Sequence, residues 1–499
     1  MTTRIAPALE GHPRTRQGWL ILGLPILLAA CAQVPEWNGK ASLTQLVPDA
    51  LQATINAPRM DWPTQQWWQR YGDAQLDQLI AEALQTAPDM VAAAARVQQA
   101  KAMLGVRESA SAPQLSARAS ASEDKLSYNH LSPDAFTPRG MNDYGRATLD
   151  LNWSLDLWGK QRAAVAAAAG ELAAREADAA QARLLLSSNV ASAYAQLLRL
   201  AANEQTLEQS VKVRQATANL FAERYANGLE NKGSVHSANA RLAAARAELS
   251  QMQEQVALQR NSIAALMGAA PDRGAHIQID AKRLQSLWRQ HWALPEQLSA
   301  NLLGRRPDVV AARLQAQALE SRVAAQQAEF YPDVNLSAFI GVQSLGLDML
   351  TKSGSSIASI GPAISLPIFN GGRLRSELGA ARARYDEAAA QYRSTLNRAL
   401  QEVADNATSQ RALQQQLTAM QQAVEAATEA HRVARNRYEG GLARYLDVLS
   451  AEDQLLASVR QLVDVQSRAL TLDIGLHRAL GGGWSEDASA QKTAEQPQA

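Results

Sequence analysis

The sequence predicts a mainly α-helical chain with part of a membrane β-barrel, built on a duplicated helix–strand–strand–helix unit. Three observations predict it. The first is a long internal repeat. Arg224-Tyr225-x-x-Gly228-Leu229 recurs 213 positions later as Arg437-Tyr438-x-x-Gly441-Leu442, and Val235, Ser237, Ala238 and Leu242 fall on Val448, Ser450, Ala451 and Leu455. Pro88-Asp89 and Pro113 recur as Pro307-Asp308 and Pro332 at a shift of 219. Leu155-x-Leu157-Trp158 recurs as Leu366-x-Ile368-Phe369 at a shift of 211. Solenoid repeats run to about 20–50 residues, so this period means one structural unit duplicated and fused. The second observation is two proline-free runs, Lys160 to Tyr225 and Arg373 to Tyr438, interrupted only by Gly170, and by Gly379 in the second. Each would be roughly 100 Å long as a continuous helix at 1.5 Å per residue. The third is four short segments with alternating apolar residues.

The elements follow in order. Arg4, His12, Arg14 and Arg16 precede an apolar run from Trp19 to Ala30. At about 12 residues it is too short to cross a bilayer as a helix and has the shape of a secretory signal. It ends Leu28-Ala29-Ala30-Cys31, which resembles a bacterial lipobox. That resemblance implies acylation of Cys31 and, with Ala32 rather than Asp next, delivery to the outer membrane. Cys31 is the only cysteine, so no intrachain disulfide forms. The expected organisation is a signal peptide at 1–30, a lipid-anchored segment at 31–73, a first unit at 74–270 and a linker at 271–296. A second unit at 297–480 and a disordered polar tail at 481–499 complete it.

In each unit a shorter helix comes first, at 74–109 and at 297–329, ahead of Pro113 or Pro332. Within the first long helix Leu184, Leu185, Val190, Ala191, Tyr194, Leu197 and Leu198 recur at spacings of three and four. A second helix returns at about 233–266 and 446–480, so the Arg-Tyr-x-x-Gly-Leu motif sits at a helix–turn–helix tip. Its glycine supplies the left-handed helix cap that other residues resist. The strand-like segments are 114–122, 145–155, 333–341 and 359–369. Ala147, Leu149, Leu151 and Trp153 share one face of the second, and Val334, Leu336 and Ala338 alternate in the third. Small polar residues on the other face are the mark of membrane barrel strands of about ten residues. Four strands cannot close a barrel, and an open edge cannot face lipid. Three copies would supply 12 strands, with the long helices forming a matching tube.

Composition excludes other classes. A net charge of +1 offers no field for nucleic acid. Hydrophobic residues make up 46% but aromatics only 5%, an alanine-rich balance that suits long helices. No apolar stretch long enough for a membrane helix follows Cys31. His130, His236, His276, His291, His431 and His477 show no helical metal spacing. Gly371-Gly372 is followed by no lysine–serine ending and turns strand into helix rather than cradling phosphate. Arg305-Arg306 reads as a solvated or capping pair. No enzyme and no cofactor are expected, apart from a covalent lipid on Cys31.

Five segments carry a family resemblance: Trp67-Trp68-x-x-Tyr71-x-Asp73-x-x-Leu76, Leu155-Asp156-Leu157-Trp158-Gly159-Lys160, Leu302-Leu303-x-x-Arg306-Pro307-Asp308-Val309, Phe330-Tyr331-Pro332 and Ser365-Leu366-Pro367-Ile368-Phe369-x-Gly371-Gly372-Arg373. In this order, behind a lipobox, the chain resembles the outer-membrane factors. These are TolC-like trimeric ducts, and the likeness is to the lipoprotein branch serving tripartite efflux pumps. Thr86-Ala87-Pro88 departs from the pattern, where relatives more often place asparagine. The resemblance implies a homotrimer, with a 12-stranded β-barrel continuous with a long periplasmic α-helical barrel. It implies a periplasmic adaptor and an inner-membrane efflux pump as partners, and passive export of drugs or other small toxic molecules. A duct for secreted polypeptides is the alternative on the same fold. A structural periplasmic coiled-coil lipoprotein is the alternative of another class, and would show heptads throughout without strand pairs. The resemblance also implies a periplasmic gate at the tips, formed by Asp447, Arg444, Tyr438 and Arg437 with Tyr225 and Arg224, beside Glu230, Asn231 and Lys232. Three Asp447 carboxylates about one axis would repel one another and attract cations. The plainer role for Asp447 is a carboxylate favoured at a helix N-terminus, and for Tyr225 it is packing at the turn.

Overall fold

The computed structural model describes residues 34–43, 59–127, 134–279, 294–295 and 304–486. The secretory signal, Cys31, His130 and His291 lie outside the described residues. The chain forms two compact units. One comprises 1–42, 100–172 and 315–390, and the other 43–99, 173–314 and 391–499.

The duplication is visible in element lengths. Helices α2 (Pro88–Ser109) and α5 (Pro307–Ala328) each have 22 residues. The long α3 (Lys160–Ala226) and α6 (Arg373–Glu439) each have 67, and the returning α4 (Lys232–Leu266) and α7 (Tyr445–Ala479) each have 35. Ahead of α2 stands α1 (Ala74–Thr86). The single helix expected over 74–109 is therefore two. Ala87 is extended at φ −62°, ψ 130°, because the Pro88 ring disfavours helical geometry in the residue before it. Proline then opens both α2 and α5, where its missing N–H costs nothing.

The first unit is built on one antiparallel sheet in the order β1 (Gln114–Asp124), β2 (Asn142–Ser154), β3 (Asp333–Leu345), β4 (Ser356–Ser365). The strands match the expected four but reach further into the loops, and β4 ends at Ser365 because Pro367 and the left-handed Gly371 and Gly372 turn the chain into α6. Gly170 on α3 packs on Ala318 of α5, where an added Cβ would sit 3.0 Å from the alanine methyl.

The core of the second unit centres on the Trp67–Tyr71 turn. Trp67, Trp68 and Tyr71 pack with Leu79, Ile80, Val190, Leu197 and Ile263. Asp73 caps α1 by accepting from the Gln75 and Leu76 amides, and also accepts from the Tyr194 hydroxyl at 2.8 Å. Buried His477 stacks on Trp67. Arg70 donates to its Nε2, so the ring is the neutral tautomer whose Nδ1–H meets the Asp473 carbonyl, and burial lowers its pKa. Of the solvated and capping roles expected for Arg305-Arg306, Arg306 takes the second: it is 4% exposed, forks onto Asp308 at 2.7 and 3.0 Å, and bonds Glu402 and the Ala479 carbonyl at the end of α7. One expectation is corrected here. The polar tail does not begin at Gly481. Gly481 and Gly482 are buried, and Gly481 takes φ 84° to cap α7. Its amide bonds the Arg478 carbonyl and the Gly482 amide the His477 carbonyl, a Schellman closure.

Candidate functional site

Among the described residues no helix is long and apolar enough to cross a membrane. The sheet carries the membrane chemistry instead. Its register sorts side chains by face. Leu115, Ala117, Ala119 and Ala121 of β1 lie on the same face as Ala147, Leu149, Leu151 and Trp153 of β2. The same face continues through Val334, Leu336, Ala338, Ile340 and Val342 of β3 to Ala358, Ile360, Pro362 and Ile364 of β4. These residues are all apolar, and only at the loop end does the face turn polar, with Glu123, Asp143, Ser344 and Ser356. The opposite face presents Ser116, Arg118, Thr148, Asp150, Asn152, Asn335, Ser337 and Gln343, with the Phe339 ring beneath the Arg146 guanidinium at 5.2 Å. The apolar face is bare, with Ile360 at 76% exposure and Ile340 at 63%. From Gly145 to Trp153 it runs about 27 Å along the strand, which at a barrel strand's tilt of about 40° gives about 20 Å of height, most of a lipid-facing band about 25 Å tall. At the helix-bearing end aromatic residues take over. The Trp153 indole donates to the Ser111 carbonyl, and the Trp158 indole donates to the Pro332 carbonyl while stacking on Tyr331. Among the described residues β1 and β4 each pair on one side only, leaving two free edges.

The N-terminal segment 34–43 is strapped to α6. Trp37 meets Tyr385 edge-on at 5.1 Å, and Arg382 donates to the Pro35 and Glu36 carbonyls. The Tyr385 hydroxyl donates to the Ala41 carbonyl, Asp386 accepts from the Ala41 amide, and Lys40 pairs with Glu320.

The helix tips lie in the second unit. At both, the Arg-Tyr-x-x-Gly-Leu motif makes the same Schellman turn. Gly228 and Gly441 share φ 72°, and the leucine amides bond the Arg224 and Arg437 carbonyls at 2.8 and 2.7 Å. Beyond the turn the tips diverge. Asn231 caps α4 by accepting from the Ser234 amide at 3.0 Å. At the matching place on α7 Arg444 stands at the cap, and Asp447 accepts from the Arg444 amide at 3.0 Å. Asp447 thus holds the helix-terminal role, and its side chain is exposed.

The structure brings Arg224 and Tyr438 together and leaves their counterparts apart. Arg224 donates to the Tyr438 hydroxyl at 2.9 Å with its guanidinium 5.8 Å from the ring. Arg437 is exposed, and Tyr225 is 46% exposed. Tyr445 is the residue that sequence reasoning undervalued. Its ring lies edge-on to Tyr438 at 5.1 Å and Phe221 at 4.7 Å, and its hydroxyl bonds Thr217 at 2.6 Å. Its counterpart in the first repeat is Lys232, so the repeat itself hid the aromatic. Further along α7, Asp453 bridges Arg214 and Arg241 at 2.7 and 3.1 Å. Beside it Glu452 is buried with Oε1 unbonded among the described residues and Arg214 Nε at 3.9 Å. Burial raises the Glu452 pKa, against the pull of Arg214.

A half-bare sheet with segregated faces, joined in sequence to duplicated long helices, matches one family. Its description is outer membrane efflux protein, and it aligns with residues 79–269 and 298–482. The chain belongs to the outer membrane efflux protein family. Multidrug resistance outer membrane protein MdtP of Escherichia coli O6:H1 is 32% identical over 481 residues, spanning 95% of this chain and 97% of that protein. Pyoverdine export outer membrane protein OpmQ of Pseudomonas aeruginosa is 30% identical, spanning 85% of this chain and 88% of that one. The crystal structure of VceC from Vibrio cholerae superposes with a TM-score of 0.78 at 48% identity, spanning 85% of this chain and all of that one. Like the rest of this efflux family, the chain is an outer-membrane channel protein with a periplasmic extension.

Proposed function

We propose that three copies of this chain close one 12-stranded barrel and form a passive exit duct for small toxic molecules. An inner-membrane pump delivers them through a periplasmic adaptor, and the chain performs no chemistry of its own. The observation that carries this reading is the sheet: one face apolar from Gly145 to Trp153 and, among the described residues, two unpaired edge strands, in an outer-membrane protein. Unpaired backbone groups at β1 and β4 are untenable in hydrocarbon, so each edge needs a partner. Pairing β1 of one copy with β4 of the next satisfies both, turns the apolar face to lipid and the polar face to water. The names of MdtP and OpmQ support an efflux cargo of small molecules. Native mass measurement of detergent-solubilised protein tests the reading. The expected species has three times the chain mass, and a monomer or dimer as the sole stable species overturns it.

Two finer roles belong to the same proposal. Cys31 carries the lipid. Pro35, bonded by Arg382, is four residues beyond it, so Cys31 has a reach of about 14 Å at 3.5 Å per residue. Arg382 lies about 14 Å along α6 from its sheet-side start. An acyl chain on Cys31 therefore reaches the membrane surface. Radiolabelled palmitate should enter the wild type and not Cys31→Ser, and equal labelling of both overturns the anchor. The tips form the gate: Arg224 to Tyr438 ties the helices within a copy, while Arg437, Arg444, Tyr225 and Asp447 face outward to neighbours or the axis.

A further inference from the structure

Below the sheet, within the first unit, lies a cavity of about 370 Å³ that the duct has no need of. It opens where three chain segments change from strand to helix or back, and its lining includes Trp158, Lys160, Glu329, Asp333 and Arg373. The charges are mixed. Lys160 reaches Glu329 at 3.1 Å and keeps donors to spare. Arg373 holds Glu377 through Nη1, and among the described residues its Nε and Nη2 have no bonded partner. The Asp333 carboxylate accepts from the Asn335 side-chain Nδ2 at 3.1 Å, and among the described residues no lysine or arginine reaches it. At its rim stand Leu157, part of the lining, and Ile368 and Phe369, which follow the lining residue Pro367; they are 60%, 82% and 92% exposed. These three directly follow β2 and β4, so they sit where the apolar face ends.

We propose that this cavity binds the headgroup of a phosphoethanolamine lipid. The phosphate meets the free donors of Lys160 and Arg373. The primary ammonium meets Asp333 and the exposed face of Trp158, a pairing of cation with carboxylate and indole. The acyl chains leave over Phe369, Ile368 and Leu157. A bare phosphate or an anionic headgroup fits less well, because Asp156, Glu329 and Asp333 outnumber the two lining cations. A purely cationic ligand would leave the spare donors of Lys160 and Arg373 unanswered. Only a zwitterion with a hydrogen-bonding ammonium answers both charges, and the exposed apolar rim specifies a lipid rather than the soluble headgroup.

The proposal rests on the sheet being the membrane-spanning part, so its test scores assembly separately from lipid binding. Full-length protein in detergent is titrated with phosphatidylethanolamine, phosphatidylglycerol and soluble phosphoethanolamine, and adducts are counted by native mass spectrometry. Phosphatidylethanolamine should be retained in preference to phosphatidylglycerol and should resist displacement by soluble phosphoethanolamine. Lys160→Gln with Arg373→Gln should weaken its retention about tenfold, the loss expected for charge-assisted hydrogen bonds, at unchanged oligomeric mass. Asp333→Asn should reverse the preference towards phosphatidylglycerol. Equal retention of both lipids, unaltered retention in these variants, or displacement by soluble phosphoethanolamine would each overturn the proposal while the oligomeric mass left the barrel standing. A change in mass would strike the barrel reading instead.

Discussion

The two helix tips are copies that have drifted apart in an informative way. Their turns are the same to the degree in φ and to 0.1 Å in the closing hydrogen bond. The helix starts that follow have exchanged sides of one device. In the first tip the acceptor sits at the cap, Asn231, and serves the amide three residues on. In the second it sits three residues on, Asp447, and serves the amide at the cap. Each is half of a capping box, so either half suffices to close the helix end. What the second tip gains by its version is a carboxylate exposed where the first has a serine. Stability alone does not demand that change. The sheet-side helix starts differ as well. Asp156 accepts from the Gln161 and Arg162 amides ahead of α3, whereas the matching position ahead of α6 is Pro367.

The most damaging test of the repeat's equivalence lies at the far ends of the returning helices. Gly268 after α4 and Gly481 after α7 occupy equivalent places 213 residues apart with φ 71° and 84°. A Cβ at Gly481 would strike the Arg305 carbonyl, and one at Gly268 would lie 2.7 Å from Pro88 Cδ. Either glycine to alanine should cost about 2–4 kcal/mol, from left-handed strain plus collision. Thermal unfolding of both variants checks it. Loss at Gly268 alone would show that the tail end after α7 is not the structural copy of the first.

Tyr438→Phe comes next. It strips the partner from Arg224, and the tie between repeats should lose about 1–2 kcal/mol. Tyr225→Phe removes the equivalent hydroxyl from an exposed ring and should cost almost nothing. Hydrogen–deuterium exchange of the tip peptides separates them. Equal acceleration in both variants would erase the asymmetry between the tips.

Much of this was legible in sequence because it depends on neighbours. Glycine at the tips, proline before α2 and alternation in the strands all act over a few residues, and each reads directly as geometry. The repeat also carried the cap at Gly481, since the same shift of 213 maps it from Gly268; its polar surroundings pointed instead to a tail. Distance hid the rest. Arg306 looks like a surface arginine until Glu402 and the Ala479 carbonyl, 96 and 173 residues away, close on it. Arg224 and Tyr438 pair at a separation of 214, one more than the repeat itself, and no local pattern announces that.

Glu452 sharpens the contrast by pH. Burial raises its pKa above the ordinary 4.5, with Asp453 adding to the rise and Arg214 and Arg241 opposing it. The folded chain therefore holds the proton to higher pH than the unfolded chain does. The stability this carboxyl contributes is complete below about its ordinary value and is lost as pH rises through the raised one. Glu452→Gln, always neutral, should protect the second tip from exchange at neutral pH by about 1 kcal/mol or less, and the gain should vanish as pH falls below the ordinary range. The counterpart in the first repeat is Asn239, already neutral, so its peptides should show no such pH dependence. A gain that persists at acid pH would mean that packing, not charge, separates the variant from the wild type.

The smallest change in stability is expected where the functional change is clearest. Asp447→Ala alone removes the hydrogen bond to the Arg444 amide and should loosen the start of α7 by about 1 kcal/mol or less. Any gain in conductance would then confound an open gate with a frayed helix. Exchanging both residues for those of the first tip, Arg444→Asn with Asp447→Ser, restores a cap of the Asn231 kind and deletes the carboxylate. Helix protection measured by hydrogen exchange should then match the wild type. If three Asp447 side chains constrict the duct, like charges held close in a narrow aperture both repel and concentrate cations. Single-channel conductance in planar bilayers should therefore rise, and the reversal potential in a salt gradient should shift away from cation preference. Wild-type protection with unchanged conductance and selectivity would leave Asp447 as a helix cap and nothing more, and the two tips would differ in form without differing in task.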